Sequence, residues 1–283
     1  MGKTGLVLEG GAMRGLFTCG IIDTFLEENI TFDGAIGVSA GAVFGCNLKS
    51  RQFGRALRYN ERFCRDWRYC SLLSLILTGD LYGADLCYNR IPYELDPFDL
   101  ETFRSDPMAF YLVATDVETA RPVYHLCTTG DGEDMKWFQA SASMPIASKP
   151  VEIGGRKYLD GGIADPIPLE YFQGIGYEKN VVILTQPADY VKTPQDHPLL
   201  MKTALRKYPA VARALLNRHK AYNHTTSEIR KQEKDGRILV IRPPEALNIG
   251  PVCREPAELR RVYEIGRRAA RETLDQVREY VCQ

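Results

Sequence analysis

The sequence has no net charge, and its cysteines and histidines lack the spacing of metal ligands. Its 36 lysines and arginines balance 36 aspartates and glutamates, so no overall field attracts nucleic acid. Its four histidines are not at metal-ligand spacing, and its eight cysteines include no CxxC pair. Scattered cysteines of this kind are typical of reduced thiols in a reducing compartment. We therefore expect no metal, no cofactor and no nucleic-acid partner.

Long apolar runs are also missing. The longest ones, such as residues 72–77, are far too short to cross a bilayer. The opening MGKTGLVLEGG runs directly into an apolar strand and lacks the parts of a signal peptide. It also lacks the Ser or Thr that a myristoylation motif requires. These absences predict a soluble, cytoplasmic protein.

Short apolar runs alternate with helical patterns along most of the chain. The strand candidates are residues 5–9, 35–38, 110–115 and 123–127, a hairpin turned by Gly154-Gly155, and residues 180–185 as the final core strand. This alternation predicts an α/β fold of three layers, α/β/α, with a mostly parallel central sheet.

The pattern changes near residue 195. Long helical patterns follow over residues 199–234 and 255–281, on either side of a short strand, RILVIRP. A chain of 283 residues is long enough for one large core with a smaller appended part. We therefore predict a main domain over residues 1–195 and a mainly helical C-terminal extension over residues 196–283.

Two glycine-rich turns follow the first two predicted strands. The first is EGGAMRG, with Gly10 and Gly11, and the second is GVSAG, with Ser39 between glycines. One helix separates the two strands, as in a right-handed βαβ unit, so their carboxyl ends lie at one edge of the sheet. The two turns should therefore face the same crevice.

GVSAG matches the G-x-S-x-G nucleophile elbow, in which small neighbours permit a strained turn that exposes a serine hydroxyl. The helix after Ser39 presents its positive end to negative charge on an acyl-enzyme. The EGGAMRG turn can supply backbone N–H groups to an oxyanion. A phosphate-binding turn is the alternative, although the spacing G-G-x-x-x-G differs from the dinucleotide pattern G-x-G-x-x-G.

A nucleophilic serine needs a base, and histidine is the usual one. The histidines are poorly placed for this role: His125 is within a predicted strand, and His197, His219 and His224 lie in or beside a basic helical segment. Only one strand precedes the elbow, unlike the order of an α/β-hydrolase. The sequence therefore favours a serine served by a carboxylate.

Two aspartates stand at the ends of strand candidates, Asp116 and Asp160. Asp160 is the better candidate because Gly161-Gly162 gives its backbone freedom to turn tightly. An aspartate that only caps a turn is the alternative interpretation of Asp160.

Together, EGGAMRG, GVSAG and DGG resemble, in that order, the motifs of the patatin-like phospholipase family. The resemblance covers about residues 5 to 190 and includes ASASMPIASKP before the aspartate. It implies a patatin-like hydrolase domain over residues 1–195 that cleaves carboxylic esters of lipids with a Ser-Asp dyad and no metal. The implied site consists of Ser39 as nucleophile, Asp160 as base, and Gly10, Gly11, Ala12 and Arg14 at the oxyanion hole.

Ala12 departs from the family pattern, which often has a third glycine at this position. Its N–H remains, but a positive φ would be costly for alanine. Two other functions stay open: a general carboxylesterase or thioesterase, and a non-catalytic nucleotide- or lipid-binding protein.

Two segments bear on the substrate, a lipid or fatty-acyl ester. The apolar stretch CSLLSLILTGDLYG is either an acyl-chain wall or lid, or a core helix, and we favour the core helix. Residues 199–234 contain nine lysines and arginines against two glutamates. That segment predicts either a solvated face or peripheral contact with a membrane surface. The sequence does not indicate an oligomeric state.

Overall fold

The computed structural model describes residues 2–282. Its centre is an eight-stranded sheet, in which hydrogen-bonded neighbours follow the path β5-β6-β3-β2-β1-β7-β8 and β4 also pairs with β3. The strands are β1 Thr4–Leu8, β2 Gly34–Val38, β3 Ala109–Asp116, β4 Pro122–Cys127, β5 Val151–Ile153, β6 Arg156–Asp160, β7 Lys179–Ile183 and β8 Ile238–Ile241. The pairs along β3-β2-β1-β7-β8 are parallel, whereas the pairs of β4, β5 and β6 are antiparallel.

Helices cover both faces of the sheet. They are α1 Gly15–Glu27, α2 Ala40–Lys49, α3 Arg55–Phe63, α4 Leu72–Thr78, α5 Leu100–Ser105, α6 Glu133–Ser141, α7 Leu169–Gly174, α8 Pro198–Ala204, α9 Pro209–Lys234 and α10 Pro256–Cys282, with a π-helix over Leu86–Leu95. Successive side chains of a strand point to opposite faces. In β1, Leu6 and Leu8 pack in the core with α1, α2 and α10, while Val7 packs in the core with α7 and α9. The predicted three-layer α/β fold is confirmed.

The C-terminal region contributes to the same sheet. β8 lies parallel to β7 as a further strand, so the prediction that residues 180–185 form the final core strand is wrong. α10 packs along α1 so closely that a Cβ on Gly20 or Gly266 would overlap the backbone of the other helix. The Tyr263 hydroxyl of α10 also donates a hydrogen bond to Asp23 of α1 at 2.8 Å. A boundary at residue 195 remains a prediction.

Two helical segments differ from the sequence prediction. Residues 199–234 form two helices, because Pro209 starts α9 and cannot continue a helix from α8. The stretch around α4 is not a core helix: Leu72, Ile76 and Leu77 are 71%, 79% and 63% exposed, and Ser74 is the buried residue of α4. Among residues 2–282, none of the helices combines the length and hydropathy needed to cross a bilayer.

Candidate active site

Ser39 occupies a strained turn between β2 and α2. Its φ of 54° and ψ of −122° lie in a region that residues other than glycine rarely adopt. A Cβ on Gly41 would overlap the carbonyl oxygen of Leu8, and a Cβ on Gly37 would overlap that of Gly41. Both glycines of the GVSAG motif are therefore required by close backbone approach, and the turn holds the serine at the carboxyl edge of the sheet.

Strand register brings Asp160 to Ser39. β2 pairs with β3 up to Val38 and Val113, and β6 pairs antiparallel with β3 from Asp160 and Ala114 onward. β4 pairs with one edge of β3, so both β2 and β6 pair with its other edge. Along that edge, the end of β2 meets the end of β6. The last residue of β6 therefore lies next to the residue that follows β2.

The Asp160 carboxylate is buried, with 7% of the residue exposed. Its Oδ1 accepts a hydrogen bond from the Gly162 N–H at 2.8 Å. Burial raises the pKa of Asp160, and the influence of the Ser39 hydroxyl, the Gly162 N–H and the charge of Arg218 acts against this rise. Asp160 thus caps a turn, as one interpretation predicted, and it lines the same cleft as Ser39.

The EGGAMRG turn lies against the same serine. A Cβ on Gly10 would stand 2.8 Å from the Val38 carbonyl oxygen and 3.0 Å from the Ser39 Cβ, so this approach requires glycine. Within residues 2–282, the N–H groups of Gly10 and Gly11 have no hydrogen-bond acceptor. Ala12 has a φ of 48°, the positive value that makes alanine costly here.

All six residues named from the sequence line one cleft of about 370 Å³: Gly10, Gly11, Ala12, Arg14, Ser39 and Asp160. A second cavity, of about 110 Å³, is lined by Ser39 and by residues of α2, α3 and the π-helix. Its walls are mainly apolar and aromatic, and include Phe44, Tyr59, Tyr69, Tyr88, Ile91, Phe98, Phe138 and Met144. The cleft and the cavity share Ala12, Ser39 and Met144. Ser39 therefore lines both a larger cleft that contains charged side chains and a smaller, mainly apolar cavity.

The other candidate base, Asp116, lies outside this cleft. It accepts hydrogen bonds from the N–H groups of Glu118 and Thr119 and forms an ion pair with Arg156 at 2.8 Å. Although burial acts to raise its pKa, the contacts with Thr119 and Arg156 lower it below the ordinary value. Asp116 therefore stabilises a turn.

None of the four histidines, all within residues 2–282, lines the cleft or the cavity. His125 stacks on Trp137 and contacts the Asp134 carboxylate at 2.6 Å. His125, Cys127 and Asp134 form the group of described residues whose side-chain atoms lie close enough together to hold a metal. Asp134 is already taken up by backbone N–H groups of residues 128–130, and burial raises the pKa of the Cys127 thiol. The group is therefore a poor metal site.

The sequence reasoning assigned no role to Glu9 or Ser141, because the residues that they contact lie far away in the chain. Glu9 is buried, and its carboxylate accepts hydrogen bonds from the Thr185 N–H at 2.6 Å and the Tyr222 hydroxyl at 2.7 Å. The Ser39 N–H donates to the Ser141 hydroxyl at 3.0 Å. Glu9 thereby ties the glycine turn to β7 and α9, and Ser141 fixes the elbow. The ASASMP segment was the sequence signal for Ser141.

Two cations in the cleft were also missed, Lys192 and Arg218. Lys192 lies in the loop after β7. Arg218 belongs to α9, whose basic composition indicated only an exposed face. Neither residue forms part of a recognisable motif, so the sequence gave no signal for its position.

Comparison with protein families gives two matches. A model described as "Patatin-like phospholipase" matches residues 6–172. A model described as a domain of unknown function (DUF6363) matches residues 208–281.

Individual proteins from other organisms also match this chain. The uncharacterized protein YjjU of Escherichia coli is 30% identical over 95% of this chain and 76% of its own length. The lysophospholipase nte1 of Aspergillus oryzae is 28% identical to this chain. The match covers 62% of this chain and 11% of that protein. Among solved structures, VipD from Legionella pneumophila aligns with 98% of this chain and 67% of its own, at 16% identity and a TM-score of 0.47.

Proposed function

Because this chain belongs to the patatin-like phospholipase family, we propose that it is a serine-dependent hydrolase of lipid acyl esters, of the phospholipase or lysophospholipase type. The observation that carries the proposal is the position of Ser39, which has a strained backbone, lines the same cleft as buried Asp160 and also lines an apolar cavity. The nte1 relatives are named lysophospholipases, and they share about a tenth of their length with this chain.

In the proposed mechanism, Ser39 Oγ attacks the ester carbonyl carbon while Asp160 accepts its proton. The N–H groups of Gly10, Gly11 and Ala12 and the side chain of Arg14 stabilise the oxyanion. Asp160 returns the proton to the leaving alcohol as the acyl-enzyme forms. A water molecule then attacks the acyl-enzyme with Asp160 again as base, which releases the fatty acid and restores Ser39.

An aspartate with an ordinary pKa is a weak base at neutral pH. Burial raises the pKa of Asp160, and this increases its affinity for the serine proton. The mechanism requires no histidine and no metal.

The cavity next to Ser39 suits an acyl chain. Its aromatic and aliphatic walls gain from burying methylene groups, at about 0.8 kcal/mol for each one. We therefore propose that the acyl chain of the substrate enters this cavity and the alcohol part lies in the cleft.

The test compares wild type with Ser39→Ala and Asp160→Asn on lysophospholipids and on p-nitrophenyl esters of increasing chain length. The matched control is Asp116→Asn, which alters the other aspartate at the end of a strand. We expect both active-site variants to lose turnover and Asp116→Asn to keep it. Full activity in Ser39→Ala would refute the proposal, and an absence of turnover in wild type would favour a non-catalytic nucleotide- or lipid-binding protein.

A general carboxylesterase or thioesterase with the same dyad is the alternative enzyme. The chain-length series separates the two, since burial in the cavity should raise kcat/KM as the acyl chain grows. A preference for acetyl and butyryl esters would favour the general esterase.

We also propose peripheral contact with a membrane surface through α4. The exposed side chains of Leu72, Ile76 and Leu77 form an apolar face. α4 is joined to the rim of the cleft, because the Leu81 N–H donates to the Ala147 carbonyl at 2.8 Å and the neighbouring Ile146 lines the cleft while 55% exposed. An apolar face at this rim would bring the cleft to the lipid surface.

Cosedimentation with vesicles of phosphatidylcholine and phosphatidylglycerol tests this contact. The double variant Ile76→Ser, Leu77→Ser should lose vesicle binding. The control variant Ile175→Ser should keep vesicle binding. Ile175 is exposed and follows α7, before the amino end of β7. Equal binding by both variants would contradict the proposed contact. A cytoplasmic location also remains a proposal, which cell fractionation would test.

A further inference from the structure

The cleft beside Ser39 contains more positive charge than the proposed ester chemistry uses. Arg14, Lys192 and Arg218 line it, and within residues 2–282 none of the three forms an ion pair. The Nε of Arg14 is buried without a hydrogen-bond partner. Unpaired cations that share a partly buried cleft repel one another, and an anion between them would remove this cost.

Both additional cations are positioned by α9. Arg218 Nε donates to the carbonyl oxygen of Gly162, which places the guanidinium beside the Asp160 turn. The backbone of Lys192 is held by the Asn223 side chain, which accepts from its N–H at 2.8 Å and donates to its carbonyl at 3.0 Å. The Lys192 Nζ lies 5.3 Å from the centre of the Tyr222 ring. These contacts fix both cations at the cleft.

The two acids of the cleft, Glu9 and Asp160, offset these cations only in part: the charge of Arg14 acts to lower the pKa of Glu9, and the charge of Arg218 acts to lower that of Asp160. Glu9 is engaged by Thr185 and Tyr222, and burial raises its pKa, which favours the neutral form. Asp160 is engaged by its own turn. Burial and the charges of Arg218 and Arg14 lower the pKa of Lys192 to about 8, although the charge of Glu9 acts against this change.

We propose that Lys192 and Arg218 form a subsite for a phosphate group on the alcohol part of the substrate. The cleft and the apolar cavity meet at Ser39, so an acyl chain in the cavity directs the head group toward these cations. Arg and Lys both bind phosphate oxygens through charge-assisted hydrogen bonds. This inference rests on the proposed lipid hydrolase and narrows its substrate to an anionic lysophospholipid or phospholipid.

The experiment measures kcat/KM on two substrates with the same acyl chain, a lysophosphatidic acid and a monoacylglycerol. The ratio of the two values reports recognition of the phosphate. Lys192→Gln and Arg218→Gln are compared with Lys207→Gln and Arg213→Gln, which remove exposed cations on or near α9. Inorganic phosphate is added in a separate series as an inhibitor of monoacylglycerol hydrolysis.

We expect wild type to favour the phosphate-bearing substrate and Lys192→Gln to lower the ratio by about 10- to 100-fold, the range for hydrogen bonds to charged groups. Lys192→Arg should restore most of the ratio, and the two control variants should leave it unchanged. Arg218→Gln also removes a contact with Gly162, so Lys192→Gln and its rescue decide the outcome.

A wild-type ratio near one that no variant changes would overturn the phosphate subsite while leaving the hydrolase intact. Inhibition by inorganic phosphate without a preference between the two substrates would overturn the head-group assignment in favour of a free phosphate. Loss of the hydrolase proposal is a separate result, because it requires Ser39→Ala to retain activity on both substrates.

Discussion

The strained backbone of Ser39 predicts that Ser39→Gly is more stable than Ser39→Ala. Both variants remove the hydroxyl, so the difference between them isolates the Cβ at a φ of 54° and ψ of −122°. A residue in such a region costs about 1–3 kcal/mol. The greater freedom of glycine in the unfolded chain offsets about 0.4–1 kcal/mol of this. We therefore expect a net difference of about 1 kcal/mol in favour of glycine.

Thermal and urea unfolding of the two variants measure this difference. About 1 kcal/mol corresponds to about 2 °C in Tm for a chain of this size. The m-values should be equal, because the same surface is exposed on unfolding. If Ser39→Ala equals or exceeds Ser39→Gly in stability, the turn is not strained and the argument for a nucleophile elbow loses its physical basis.

Three further predictions concern the same site. Asp160→Asn should lower kcat by about 100- to 10,000-fold through loss of a general base, measured by steady-state kinetics, and a decrease below 10-fold would assign the base elsewhere. Gly161→Ala should destabilise the protein by about 1–3 kcal/mol in urea unfolding, since its Cβ would overlap the Val113 carbonyl oxygen. Gly174→Ala, where a Cβ would meet nothing within 4 Å, is its control, and equal stability of the two variants would contradict the overlap. The acid limb of kcat/KM should lie above pH 3.8, because the base is active only when ionised and burial raises the pKa of Asp160 above that value. A limb at or below pH 3.8 would contradict a buried carboxylate base.

The features fixed by local patterns could be predicted from the sequence. Gly37, Gly41 and Gly161 mark places where backbones approach closely, and such positions appear in a sequence as glycines around one polar residue. The apolar runs of β1, β2 and β3 also indicated the sheet, because buried parallel strands consist largely of apolar residues.

The rest depends on contacts between residues that are far apart in the chain. Glu9 contacts Tyr222, which lies more than two hundred residues later in the chain. Arg218 of α9 contacts the backbone of Gly162. The exposed face of α4 was predicted to be core because hydropathy alone does not show which side a short apolar helix presents. β8 was not placed in the core sheet because four residues between polar helices carry little periodic signal.

The central claim is that Ser39 is a nucleophile activated by Asp160. Labelling with a fluorophosphonate probe, followed by peptide mass mapping, tests it directly. We expect wild type to carry one adduct on Ser39, Asp160→Asn to label far more slowly, and Ser39→Ala to remain unlabelled. An adduct on another residue, or labelling of Ser39→Ala at the wild-type rate, would contradict the claim.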